Sequence, residues 1–148
     1  MKHILFLIIA LFLFTSCKKE KKIERNLWKN GGKWEIVKYE EIVVSTWPAN
    51  EKNEVVENAG IFQFKRDGTG WRIDRDDYFS QKLNFKYSNT STELSLDYFE
   101  YGSSDTYVID WEKNAMTLTQ SGTKTYTPGS TNLVITDTRT YRYTCKKD

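Results

Sequence analysis

Apolar and polar positions alternate with a period of two along much of the chain. The clearest stretch, residues 61–74, reads IFQFKRDGTGWRID. Alternation of this kind predicts half-buried strands, and Asp67-Gly68 is a preferred two-residue hairpin turn. With the turn there, Phe64 faces Trp71 and Phe62 faces Ile73, two apolar cross-strand pairs on one face. Gln63 and Arg72 take the other face. The same pattern continues in KLNFKYSNTSTELSLDY, residues 82–98. A loop over Asn89 to Thr92 pairs Tyr87 with Leu94, Phe85 with Leu96 and Leu83 with Tyr98. In YVIDWEKNAMTL, residues 107–118, a turn at Lys113-Asn114 pairs Trp111 with Met116 and Ile109 with Leu118. A turn at Ser103-Ser104 places Tyr98 opposite Ile109 and Leu96 opposite Trp111.

Consecutive hairpins thus share one apolar side, the signature of an antiparallel meander with one face buried. A first strand near Trp34 to Val44 and a last near Leu133 to Cys145 bring the number to about eight. The predicted class is all-β: an eight-stranded antiparallel up-and-down meander that removes its edges by closing into a barrel. Between the first two strands lies Ser45 to Gly60, long for a strand connection. The sequence predicts a loop there with Trp47 as its apolar tip and one or two helical turns over Asn50 to Asn58, begun by Pro48. Such a loop would lid the barrel or form a solvated flap.

The N-terminus changes the picture. Lys2 and His3 precede an apolar run of eleven residues, Ile4 to Phe14. A bilayer-spanning helix needs about 20, so this run has the layout of a secretory signal. It ends Phe14-Thr15-Ser16-Cys17, which resembles the lipobox of bacterial lipoproteins, in which the cysteine is acylated and becomes the first residue. The bland alternative is a secreted protein with an ordinary cleavage site. The resemblance implies a signal peptide over 1–16 and acyl chains such as palmitate on Cys17, enough in number to anchor stably. Residues 17–30 become the acylated N-terminus and tether, and 31–148 the barrel domain. Lys18, Lys19, Lys21, Lys22 and Arg25 read as a solvated spacer or as attraction to anionic lipid. The absence of Asp after Cys17 implies outer-membrane retention, on the periplasmic face or at the cell surface.

The charge is nearly balanced, at +2, so no field argues for nucleic acid. His3 is the only histidine and departs with the signal. That excludes Ser-His-Asp and Cys-His catalysis and histidine-bearing metal sites in the mature chain. The expectation is no catalytic residue, no metal, no cofactor and a monomer. Cys145, with Cys17 acylated, has no disulfide partner and reads as a buried or half-buried strand residue. Asp74, Asp76 and Asp77 lack calcium-loop spacing and read as a charged strand end.

Gly32-Lys33-Trp34, placed before an eight-strand meander and after a stretch, Ile23 to Asn30, that reads as a single helical turn, matches the Gly-x-Trp motif that opens the first strand of lipocalins. FQFKRDGTG resembles a strand-turn segment of small bacterial, Bacteroidota-type lipocalin-like lipoproteins. The resemblance implies an arginine near the end of the last strand packed across Trp34. Arg139 is preferred over Arg142, because it shares parity with Leu133 and Ile135. It also implies a small, partly hydrophobic ligand in the barrel, lined by Trp71, Phe85, Tyr87, Tyr98, Tyr107 and Trp111. The same side chains would equally fill a core. In that case glycan or protein would bind through exposed aromatics such as Trp28, Tyr78, Phe79, Phe99 and Tyr101.

Overall fold

The structure, a computed structural model, describes residues 19–75, 81–129 and 133–147. Residues 19–28 form helix α1. Eight strands follow among the described residues: β1 (Lys33–Ser45), β2 (Lys52–Phe64), β3 (Thr69–Asp74), β4 (Lys82–Asn89), β5 (Glu93–Tyr98), β6 (Ser104–Glu112), β7 (Ala115–Tyr126) and β8 (Ile135–Lys147). Each pairs antiparallel with the next, and β8 returns to β1 to close the barrel. The predicted class and topology are therefore found.

The hairpins differ from their predicted registers in an instructive way. The Lys113-Asn114 turn is as predicted, with Trp111 opposite Met116 and Ile109 opposite Leu118. Between β4 and β5, Tyr87 meets Leu96 and Phe85 meets Tyr98, a shift of two residues. Between β5 and β6, Leu96 meets Asp105, a shift of six, because the turn spans Tyr98 to Ser103 instead of Ser103-Ser104. Even shifts leave every side chain on its predicted face, since the pleat has period two.

The Asp67-Gly68 hairpin slips by one, and one residue reverses a face. Phe64 lies opposite Gly70, Gln63 opposite Trp71 and Phe62 opposite Arg72. Trp71, expected inside, therefore points outward, where the Lys82 ammonium sits 5.1 Å from its ring centroid. The cause is local. The Asp67 carboxylate accepts hydrogen bonds from the Thr69 amide at 2.9 Å and hydroxyl at 2.7 Å. These contacts favour an Asx-type turn over the predicted two-residue turn. Gly68, at φ 80°, donates to the Lys65 carbonyl at 3.3 Å and supplies the left-handed residue of a three-residue hairpin. The inward places of β3 go to Gly70 and Arg72. A Cβ on Gly70 would strike the Phe85 ring, so its bareness is what lets that ring into the core.

The predicted lid is also corrected. β1 runs to Ser45, a 3-10 turn covers only Pro48–Asn50, and β2 begins at Lys52. Val55 and Val56 pair with Glu40 and Tyr39, so the stretch predicted as helical turns is strand. Sheet pairing along β1 outweighs a weak local helix signal. The tether is corrected in its described part: α1 places Ile23 and Leu27 in the core, 3% and 0% exposed. The helix closes the barrel end where β1 starts, and the Trp34 indole N–H donates to the Leu27 carbonyl at 2.9 Å. Gly32, at φ 68°, packs so tightly on the Phe64 backbone that any Cβ would collide with its carbonyl.

Strand lengths divide the molecule. β1, β2 and β8 have 13 residues and β7 has 12, whereas β3 and β5 have six. β2 pairs with β3 only from Gly60 onward, and β7 pairs with β6 only up to Thr119. Beyond those points β2, β1, β8 and β7 continue as a four-stranded blade rising from the open end.

Candidate functional site

The predicted lining residues are largely inside the barrel, and they fill it. Phe85 is fully buried, with Tyr107 at 1% and Tyr98 at 6% exposure. Ring centroids interlock at 5.6 Å between Phe64 and Phe85, 5.2 Å between Phe64 and Tyr87 and 6.0 Å between Phe85 and Tyr98. Edge-on contacts at these separations are the favoured aromatic geometry. Leu94, Leu96 and Leu118 complete the packing with no exposure at all. The tyrosine hydroxyls find partners within the chain. Tyr87 donates to the Lys65 carbonyl at 2.6 Å, and Tyr107 to the Asp105 carboxylate at 3.1 Å. Tyr98 accepts from the Arg72 guanidinium at 3.2 Å. A ligand is not needed to satisfy any of the three.

Trp111 lies at the closed end, edge-on to Trp34 with centroids 5.6 Å apart. Its buried indole nitrogen has no hydrogen-bond partner among the described residues. Cys145 is buried and free, and burial raises its thiol pKa. The arginine expected over Trp34 is a lysine. Lys147 is the β8 residue opposite Trp34, and its ammonium lies 4.9 Å from the indole centroid. Arg139 has the inward parity predicted for it, yet it is exposed and pairs across from Val43, well along the blade. Parity was readable, but its distance along the strand was not. Cys17, Tyr78, Phe79, Asp76 and Asp77 lie outside the described residues, and Asp74 pairs with Arg72.

The register slip builds the most distinctive site. Arg72 enters the barrel at the level where the packed core ends. Its guanidinium stands over the rings of Phe62, Tyr98 and Tyr143, at 6.0, 5.5 and 5.6 Å. It also donates to the Tyr143 hydroxyl at 3.4 Å and forms an ion pair with Asp74 at 3.1 Å. Its Nε is buried without a hydrogen-bond partner among the described residues. Burial raises the pKa of Tyr98, Tyr107 and Tyr143, and pushes nearby Tyr39 up to about 12. These phenols stay protonated around neutral pH, so the cluster donates hydrogen bonds and holds one paired charge. It forms the floor of an open cleft of about 330 Å³ whose walls include Tyr39, Val56, Ala59 and Glu54.

A second open-end cleft, about 540 Å³, follows the inner face of β7 and β8 and is lined by Asp105, Gln120, Lys124, Asp137, Arg139 and Tyr141 among others. Its upper end is fixed by a polar knot. Ser45 donates to Asp137 at 2.5 Å, Tyr126 donates to Asp137 at 3.1 Å, and Asn50 donates to Tyr126 at 2.7 Å. The Ser45 hydrogen bond, followed by those from Asn50 and Tyr126, holds the Asp137 pKa below the ordinary carboxylate value. Phe99 and Tyr101 are exposed at the β5–β6 turn on the same end, as is Trp47 at the blade tip.

Sequence reasoning missed Arg72 as an inward residue. The Asp-x-Thr spacing at residues 67–69 was the available sign. It also missed Lys147, and it expected a single helical turn over Ile23 to Asn30 where a longer helix plugs the barrel, as Ile23 and Leu27 four residues apart announce. Comparison with known proteins finds no matching family model, no matching curated protein and no matching solved structure.

Proposed function

We propose that this chain is a lipid-anchored, lipocalin-like lipoprotein of the outer membrane that binds rather than transforms its ligand. It engages that ligand at the open end of a filled barrel. The anchor rests on the signal-like run and Cys17. The fitting ligand is a small molecule with an apolar or aromatic body and a hydrogen-bond acceptor. The body lies against Tyr39, Val56 and Ala59, and the acceptor meets Arg72. One observation carries this reading: the aromatic side chains of the barrel close on one another up to the level of Arg72, so accessible space begins above it. Ligand sites of this kind combine mostly apolar walls with a few placed polar groups.

The test is mass spectrometry of small molecules released from the purified protein, followed by titration of methyl NMR signals with whatever is found. Shifts at Val56 and Ala59, with Leu94 and Leu96 unmoved, support the reading. Shifts centred on Leu94 and Leu96 place the ligand inside the barrel and overturn it. A second reading, a glycan- or protein-binding surface, is favoured by exposed Phe99, Tyr101 and Trp47 at the same end. It predicts that a Phe99→Ala/Tyr101→Ala variant loses the partner while Val56 is indifferent to it.

A further inference from the structure

The closed end of the barrel differs in charge from the open end. In the blade, several cations are matched by carboxylates. Lys52 meets Glu41 at 2.7 Å and Glu54 at 2.6 Å, and Lys38 meets Glu40 at 2.9 Å. At the closed end, α1 and the turn after it present Lys21, Lys22, Arg25 and Lys29 along one recess of about 510 Å³, shared with Asn26. Lys21, Lys22 and Arg25 make no ion pair among the described residues. Glu24, exposed on the same helix, offsets only part of this charge. Burial, and then the charge of Lys29, lower the pKa of Lys147 next to the recess.

This basic face is held rigidly. Ile23 and Leu27 are core residues, the Lys147 ammonium donates to the Asn26 carbonyl at 2.6 Å, and the Asn89 amide donates to the Glu20 carbonyl at 3.1 Å. It also lies where an anchor would hold it. Residue 17 is two positions before Lys19, the first described residue of α1, a span of at most about 7 Å. A lipid-linked Cys17 leaves no length for the barrel to stand off from the bilayer.

We propose that the closed end docks on the anionic leaflet that carries the anchor, with Lys21, Lys22, Arg25 and Lys29 set against lipid phosphates. The clefts and exposed aromatics of the open end then face away from the membrane. This rests on the lipoprotein reading above. The charge that sequence alone leaves as a plain spacer becomes an oriented surface, because α1 is built into the fold.

The test uses the acylated full-length protein in vesicles of phosphatidylcholine, alone or mixed with phosphatidylglycerol, doped with a headgroup spin-labelled lipid. Intact mass first establishes acyl chains on Cys17. The indole N–H signals of Trp28, at the closed end, and Trp47, at the blade tip, are then compared. Docking predicts strong broadening of Trp28 and little of Trp47. The difference should grow with anionic lipid and shrink with salt. In the Lys21→Glu/Lys22→Glu/Arg25→Glu variant it should collapse, with a loss in surface attraction on the order of a hundredfold or more. Acylated protein in which both indoles broaden alike, or in which lipid charge makes no difference, overturns the proposal alone. Absence of acyl mass on Cys17 overturns the reading beneath it.

Discussion

The same four strands pass through two environments, and the contrast shows what sets burial in this molecule. At the closed end the inward positions of β1 and β8 include Trp34, Ile36 and Cys145, all at most 2% exposed, with half-buried Lys147 at the rim over Trp34. Farther along the same faces stand Glu41, bound to Lys52, Ser45, bound to Asp137, and Arg139 and Asp137, which line a polar cleft. The inward parity continues unbroken in β8, while the bulge between Ile36 and Lys38 moves the inward positions of β1 from even to odd residues. What changes is the opposite wall. β3 to β6 are short, and where they stop open clefts run along the inner face of the blade, with Val43, Ile135 and Asp137 still buried near its tip. Polar side chains suit the open stretches, since an uncovered apolar face would leave its surface in water. Arg72 and its tyrosines sit at the boundary, with aromatic rings on one side and water-accessible cleft on the other.

Substitutions separate the two regions. Phe85→Ala removes a fully buried ring and should destabilise by about 3–5 kcal/mol in denaturant unfolding. An effect below about 1 kcal/mol would mean the core tolerates a void and the packed half is not packed. Arg72→Ala removes the boundary, with its ring contacts and two phenol hydrogen bonds. A loss of about 2 kcal/mol is expected, because Asp74 is half-exposed and its ion pair is weakened by solvent. Trp71→Ala sharpens the register: on the outer face it should cost about 1 kcal/mol or less, measured alongside Phe85→Ala. A cost equal to that of Phe85→Ala would return Trp71 to the interior.

Acid should distinguish the regions without mutation. The folded-state pKa of Asp137 lies below its unfolded value. Its contribution is therefore present above the ordinary carboxylate range and is lost as pH falls through the depressed value. Hydrogen exchange should show the blade tip, around Asn50 and Tyr126, opening first under acid, with Leu94 and Leu96 amides still protected. Simultaneous loss of protection would show that the blade and barrel unfold as one.

Much of the fold was legible because faces depend only on parity. The β4–β5 and β5–β6 registers were wrong by even numbers, and Phe85, Tyr87, Leu96 and Tyr107 still landed inside. The Asp67 hairpin was wrong by one, so Trp71 and Arg72 exchanged sides. Its error came from a competition within the turn, where the Asp67 side chain bonds Thr69 instead of leaving a two-residue loop. The blade was illegible for a different reason. No feature of EIVVS or of TKTY marks where a partner strand ends, and that ending decides whether an inward residue meets a core or a cleft. The filled interior was likewise open on sequence, because ring-to-ring distances arise only when all eight strands are placed.

Xenon pressurisation tests the filled core most directly, since xenon enters dry apolar voids and reports them on adjacent methyl groups. The account predicts no saturable shift at the methyls of Leu94, Leu96, Met116 and Leu118. A saturable shift centred on those residues would reveal a hollow barrel and contradict it.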